Sequence, residues 1–320
     1  MRRVWAFGEA LIDMMPQYAG APGVSAVDAF RPCPGGAPAN IAVAVARLGG
    51  DAAFLGRVGA DFFGDLIEDA LAGYGVDTAH LLRSQHAPTT LAFVAHDASG
   101  ERRFSFYRHG AADLEFVAND FPSACFETPG IFHVCSNTLT DEAIRATTLA
   151  GLAQARAAGH IVSVDINYRE PLWPRPSEAP AAIAEALGHA DVVKASTEEL
   201  DALYGDADGT ELIERLFASG TSLVLVTDGG GPVRIHTAGG TMTVTPPAIT
   251  AVDTTAAGDA FVGAFLQALA NADVTRASLP DWTAASGNVT TAVERATQAG
   301  ALTASRYGAY DALPRAEELT

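Results

Sequence analysis

The sequence predicts an α/β protein in which a mostly parallel sheet is covered by helices on both faces and overlaid by a small β-layer. Two observations carry this. Short β-type runs alternate with small-residue helical runs from one end of the 320-residue chain to the other, the pattern of a parallel sheet with helical crossovers. One stretch, 90-TLAFVAHDASGERRFSFYR-108, breaks the rhythm with two β-patterned runs and no helix between them. It reads as an antiparallel hairpin turning at Asp-Ala-Ser-Gly.

The strand candidates, in order, are 4-VWAFGEALI, 52-AAFLGRV, 131-IFHVCS, 161-IVSVDIN, 191-DVVKAS and 222-SLVLVTD. Helical patterns lie between them. In 38-PANIAVAVARLGG, Ile41, Val45 and Leu48 share one face and Gly49–Gly50 ends the helix. In such sheets ligands gather at the carboxyl ends of the strands. A second non-helical excursion, 16-PQYAGAPGVSAVDAFRPCPGG-36, lies early in the chain. With the hairpin it is expected to form a lid, roughly 14–34 and 90–115, of the kind that excludes water from a reaction. The plainer alternative is an ordinary edge hairpin. With 48% hydrophobic residues the chain can bury one large core or two modest ones; a single domain over 1–320 is expected.

Composition excludes several functions. The formal net charge of −18 and the lack of a basic run leave no footprint for nucleic acid, so no such partner is expected. Lys194 is the only lysine among twenty basic residues and follows Val193, so there is no Walker A loop. Neither His-Arg-Asp nor Asp-Phe-Gly occurs, and no GxGxxG follows the first strand. Phosphate, if handled, meets backbone N–H groups and arginine. Cys33, Cys125 and Cys135 form no CxxC pair and are odd in number, which fits a reduced, cytoplasmic setting. Glu9 and Asp13 interrupt the first apolar run too early for a signal peptide, and no run is long enough for a membrane span.

Two short segments can carry chemistry. In 35-GGAPAN-40, two glycines admit a ligand close to the backbone, Pro38 suits a first helical turn, and Asn40 can donate to and accept from hydroxyls. Asp13 could accept from the same hydroxyls, although Gly-Gly before a helix is usually only a turn. In 253-DTTAAGDAFVGAF-265, Ala256, Ala257 and Gly258 are too small to shield the N–H groups at the head of a helix anchored by Phe261, Phe265 and Leu269. Those N–H groups form a site for phosphoryl oxygens. Asp259 then lies beside the transferring group. The helix terminus should lower its pKa and make it a weak base, which a loose phosphoryl-transfer transition state tolerates.

The segments 35-GGAPANIAVAVARLGG-50 and 253-DTTAAGDAFVGAF-265, about two hundred residues apart, resemble the two signatures of the ribokinase-like (pfkB) sugar kinases. The resemblance covers essentially the whole chain. It implies a ribokinase-like three-layer α/β sandwich with a β-lid, and an ATP-dependent kinase that uses Mg²⁺. It casts Asp259 as catalytic base and Ala256, Ala257 and Gly258 as the anion hole. Asp13, Gly35, Gly36 and Asn40 fall where sugar hydroxyls bind. Glu199, in 194-KASTEE-199, matches the acid that organises Mg²⁺ and its waters. Thr227 and Gly229 match the nucleotide-lining segment, Asn288 lies in the helix bordering the adenine, and a K⁺ site is implied near Asp253 and Thr255. A homodimer through the lid is a further expectation.

Three positions depart from the family pattern. Ala256 replaces the usual glycine, which is tolerable if φ is negative there. Ser196 replaces a commoner asparagine, which puts its part in the phosphate and metal shell in doubt. Pro232 replaces a glycine of the nucleotide loop and removes an N–H donor. The substrate signal lies in 104-FSFYRHGAADLEF-116 and 165-DINYREPLW-173, which look most like bacterial fructokinases. Tyr107 and Arg108 are expected at the mouth of the site. The 2-keto-3-deoxygluconate kinases use a tyrosine and an arginine at similar positions for a carboxylate, so an acid sugar is the alternative. Arg169 could assist phosphates or sugar, or form a structural salt bridge. A non-catalytic sugar- or nucleotide-binding regulator on the same fold is the reading from a different class.

Overall fold

The computed structural model describes residues 1–18, 26–96 and 102–319. Its strands are β1 (Val4–Phe7), β2 (Leu11–Tyr18), β3 (Val27–Gly35), β4 (Ala52–Gly59), β5 (Leu81–Ser84), β6 (Leu91–His96), β7 (Arg102–Tyr107), β8 (Ile131–Cys135), β9 (Ile161–Asp165), β10 (Val192–Ser196), β11 (Leu223–Asp228), β12 (Gly231–Thr237) and β13 (Gly240–Val244). Nine of them form one sheet in the order β13-β12-β11-β10-β9-β8-β1-β4-β5, parallel except for β12 and β13. The other four form a separate sheet, β3-β2-β6-β7. That second sheet is the expected β-layer, and its separateness rules out a simple edge hairpin. The Asp-Ala-Ser-Gly turn and residues 19–25 of the early excursion lie outside the described residues.

Alternation along the strands builds two cores. In β1, Val4 and Ala6 face one side while Trp5 and Phe7 face the other, all of them buried, as period-two pleating requires. The first side is covered by α1 (Ala37–Arg47), α2 (Phe62–Gly73), α8 (Ala257–Asn271), α9 (Leu279–Ala284) and α10 (Ser286–Ala304). The second is covered by α3 (Ala124–Glu127), α4 (Glu142–Ala157), α5 (Ala179–Leu187), α6 (Thr197–Tyr204) and α7 (Thr210–Ala218). None of the helices among the described residues is long and apolar enough to cross a membrane. Cys33, Cys125 and Cys135 are free thiols.

One strand expectation needs correction. The run 4-VWAFGEALI does not form a single strand: β1 stops at Phe7 and β2 starts at Leu11. Gly8, at φ 151, turns the chain from the main sheet into the lid, and a Cβ there would sit 2.6 Å from Pro38 Cγ. Hydropathy could not reveal the break, because Ala10, Leu11 and Ile12 are as buried as β1.

Helix α1 is buried on more than the Ile41–Val45–Leu48 face, since every residue from Ala37 to Val45 is buried. It lies against α8, and the approach is closest at Gly263, where a Cβ would come 2.5 Å from Ala44 Cβ. Because α1 carries Asn40 and α8 carries Asp259, this contact sets the spacing of the two. Gly263→Val should push the helices apart and destabilise the fold by about 1–3 kcal/mol through overpacking. Denaturant titration of the variant tests this, and wild-type stability would mean that the helices are not in close contact.

Candidate active site

The chain winds outward from β1 in both directions, to β4 on one side and β8 on the other. The carboxyl ends of β1, β8, β9 and β10 therefore open onto a switch point, where α/β sheets gather ligands. The head of α8 points into it. Asp253 shapes the preceding turn: Oδ1 accepts the Thr255 N–H at 2.9 Å and Oδ2 accepts the Gly308 N–H at 3.2 Å. Ala256 is the cap residue, the Ala257 N–H closes a turn onto the Thr254 carbonyl at 3.3 Å, and Ala260 makes the first helical bond, to Ala256, at 2.8 Å. Gly258 is exposed at this end. This is the N-terminus of a helix, where backbone N–H groups lacking intrahelical partners favour an anion.

Asp259 stands in the first turn of α8 and is 7% exposed. Asn40 Nδ2 donates to its Oδ2 at 2.7 Å, and Asn167 Nδ2 approaches Oδ1 at 3.4 Å. The expected lowering of its pKa is overturned. Burial pushes the carboxyl up to about 6, against the hydrogen bond from Asn40, with Asp165 adding repulsion and Arg169 and Lys194 opposing. Desolvation is the largest cause, because a carboxylate enclosed by protein loses the water that stabilises its charge. The result is a stronger base than the sequence suggested.

On the lid side, Asp13 pairs with Cys33 on β3 and with Ala92 on β6. Gly35 must be small, for a Cβ would lie 2.4 Å from Asp13 Oδ2. Gly36, at φ 102, passes so close to the Glu9 carbonyl that a Cβ would sit 2.6 Å from it. Asp13, Gly35, Gly36 and Asn40 thus form one continuous lining from lid to helix. Tyr107 does not join it. It pairs with Leu91, one position from the Ala92 that faces with Asp13, so alternation turns it to the opposite face. There it is 66% exposed, its ring against Phe93 at 5.3 Å. Phe106, paired with Ala92, takes the facing side instead. Arg108 is buried rather than at the mouth, its Nε bonded to Asp113 Oδ2 at 2.7 Å and its Nη1 to Thr140 Oγ1 at 2.9 Å. Arg169 is exposed, contacts the Tyr168 carbonyl at 3.5 Å, and lies near enough to act on Asp259 electrostatically.

The residues expected on the nucleotide side lie on α6, β11 and α10 and in the turn before β12. Ser196 and Glu199 form a capping box on α6: Ser196 Oγ accepts the Glu199 N–H at 3.2 Å, and Glu199 Oε2 accepts the Ser196 N–H at 2.8 Å. Glu199 Oε1 accepts the Tyr168 N–H at 3.2 Å. Thr227, next to last in β11, has its hydroxyl bonded to the Ala195 carbonyl at 3.3 Å, and Gly229 turns at φ 52 toward β12. Pro232 sits near the start of β12, beside a register shift, where its missing N–H disturbs no ladder. Asn288, in the first turn of α10, is exposed and contacts the Trp282 carbonyl at 3.5 Å.

Three residues went unassigned in the sequence. Asn167 reaches Asp259 from the end of β9 and holds φ 38, an αL conformation that asparagine tolerates. Asp165, fully buried, pairs with Lys194 Nζ at 3.1 Å and keeps Oδ2 without a hydrogen-bond partner. Lys194 also lies 3.9 Å from Glu199 Oε2, and its ammonium would be 3.7 Å from a Cβ on Gly258. The available signal was the lone lysine itself: in a chain that otherwise uses arginine, a compact point charge marks a site that a guanidinium does not fit.

Ala256 adopts φ 59 and ψ 6, so the proviso of a negative φ fails. The left-handed conformation costs an alanine roughly 1–2 kcal/mol, held here by the turn around Asp253. Ala256→Gly should raise stability by about 1 kcal/mol, the relief being partly offset by glycine's freedom in the unfolded chain. A loss of stability in thermal or denaturant unfolding would show that the turn does not strain Ala256.

Comparison with known proteins identifies the family. The model of the pfkB family of carbohydrate kinases matches residues 1–316. The chain is 38% identical to fructokinase-1 of Zea mays over 99% of its own length and 96% of the relative's. It is similar to the ATP-bound crystal structure of fructokinase from Xylella fastidiosa, at 43% identity and TM-score 0.92, covering 99% of this chain and 96% of the other. It is also similar to a fructokinase double mutant from Vibrio cholerae O395, solved with fructose, ADP and potassium, at 37% identity and TM-score 0.86, covering 98% and 96%. With both signature segments brought together at Asn40 and Asp259, the chain belongs to the pfkB family of carbohydrate kinases.

Proposed function

We infer that this chain is an ATP-dependent fructokinase that transfers the γ-phosphoryl group to the primary hydroxyl of fructose, with Asp259 as the base. The observation that carries the mechanism is the buried Asp259 carboxylate at the open head of α8, held by Asn40 at 2.7 Å. Fructose is the substrate that the relatives' names specify, at 36–43% identity over nearly the whole chain.

Asp13, Gly35, Gly36 and Asn40 hold the sugar hydroxyls, and the lid excludes water around them. Asn40 orients Asp259 while leaving Oδ1 to the weaker 3.4 Å contact with Asn167, so that oxygen faces the hydroxyl to be deprotonated. The N–H groups at the head of α8, Gly258 first among them, receive the phosphoryl oxygens. Arg169 and Lys194 add positive charge on that side, and Thr227, Gly229 and Asn288 line the nucleotide.

Among the described residues no group of three His, Cys, Asp or Glu could hold a metal, and both Glu199 oxygens already accept backbone N–H groups. The donor set therefore fits Mg²⁺ that arrives on the nucleotide and touches Glu199, and the unpartnered Asp165 Oδ2, through water. When bound it neutralises charge on the β- and γ-phosphates. We place a K⁺ site at the turn built by Asp253 and Thr255. Rates in K⁺ should exceed those in Na⁺ or Tris, and equal rates would remove the site.

A coupled ADP-release assay with fructose, ATP and Mg²⁺ tests the whole reading. Asp259→Asn should cut turnover at least ~10²-fold and leave ATP binding intact; an active variant would refute the assignment of the base. The pH dependence has a definite sign. Asp259 must be deprotonated to accept the proton, and its pKa is raised to about 6. Hence kcat/KM for fructose should be flat above about 7 and fall tenfold per unit below about 6. A limb near the ordinary carboxylate pKa would mean that burial does not control this group.

A further inference from the structure

The lid arginine is the residue expected to choose between a neutral and an acidic sugar, and its charge is already taken. Arg108 and Asp113 are both buried, and Nε lies 2.7 Å from Asp113 Oδ2. Thr90 Oγ1 donates to the other Asp113 oxygen at 2.5 Å, so that carboxylate is held in place from a second side. Thr140 takes Nη1, and Nη2 is buried without a partner.

Arg108 directly follows β7 (Arg102–Tyr107) in the lid sheet that carries Asp13. The guanidinium also acts electrostatically on the buried Glu9, whose Oε1 accepts the Ala37 N–H at 3.2 Å and the Asn137 amide at 2.9 Å. Ala37 directly follows Gly35–Gly36. Lid and sugar loop therefore meet at one cation and two carboxyls. Asp113 cancels the single positive charge, and whatever state Glu9 takes, no positive charge is left over. An incoming carboxylate would lose its water here without finding a counter-charge. A neutral sugar brings no charge that would need a counter-charge here.

We propose that Asp113 determines the substrate class: by discharging Arg108 it reserves this end of the site for a neutral sugar, and without it Arg108 becomes a carboxylate-binding cation. This rests on the fructokinase reading and adds the residue that enforces it.

The test compares fructose with 2-keto-3-deoxygluconate in the wild type and in Asp113→Asn, by kcat/KM and by calorimetric binding of the acid sugar without ATP. The wild type should phosphorylate fructose, neither turning over the acid sugar nor being competitively inhibited by it at ten times the fructose KM. In Asp113→Asn the acid-to-neutral ratio of kcat/KM should rise at least tenfold, with measurable heat of acid-sugar binding. An unchanged ratio in a variant that keeps a cooperative melting transition overturns the proposal.

Should Asp113→Asn fail to fold, the wild-type competition experiment still decides. Inhibition by the acid sugar comparable to fructose binding, with Asp113 in place, overturns the proposal. The charge-free pair Arg108→Met/Asp113→Leu should leave the ratio at its wild-type value whatever happens to the rate; a rise would show that charge is not the reason. A wild type inactive on fructose is a different failure and refutes the fructokinase reading itself, whereas one that accepts both sugars refutes only the role of Asp113.

Discussion

The structure depends on one buried contact, the hydrogen bond from Asn40 on α1 to Asp259 on α8. It joins residues 219 positions apart, and it exists because the two helices can approach across Gly263 and Ala44. Enclosing a carboxylate this way is costly unless it is hydrogen-bonded. Here the cost appears as a raised pKa rather than as an uncompensated charge. Packing, hydrogen bonding and basicity are thus three consequences of the same helix pair.

Backbone conformation supports that contact from both ends. Gly36 takes φ 102 so that the loop before α1 can pass over the Glu9 carbonyl. Ala256 takes φ 59 so that α8 begins with its N–H groups facing the site. Only the first of these positions is a glycine. Strain at Ala256 is therefore held in place by the surrounding bonds, Asp253 to Thr255 and to Gly308 above all, as is common where the backbone must present groups to a ligand.

Charge is arranged with similar economy. The chain carries a net charge of −18, yet the site needs positive charge for phosphates and none for a neutral sugar. Lys194 is placed among Asp165, Glu199 and the head of α8, on the phosphate side. Arg108, beside the lid sheet, is paired with Asp113. Both buried cations are thus held by carboxylates, Lys194 by Asp165 and Arg108 by Asp113.

Much of this was legible in the sequence. Alternation of β and helical runs and the apolar face of α1 are local properties, determined by side-chain periodicity and size, and they pointed to the main sheet and its helices; the composition of 253-DTTAAGD-259 likewise marked the start of α8. The paired runs of the lid were readable for the same reason. What remained hidden depended on partners brought from elsewhere in the chain. The turn at Gly8 separates two sheets that hydropathy runs together. The sign of φ at Ala256 is imposed by Asp253 and its bonds, against alanine's own preference. Tyr107 lies on the lid face opposite Asp13, and Phe106 on the same face as Asp13, because strand register, not residue type, decides which face a side chain takes. The basicity of Asp259 and the pairing of Arg108 with Asp113 follow from burial and proximity, and a sequence specifies those only once tertiary packing has removed water and set the distances.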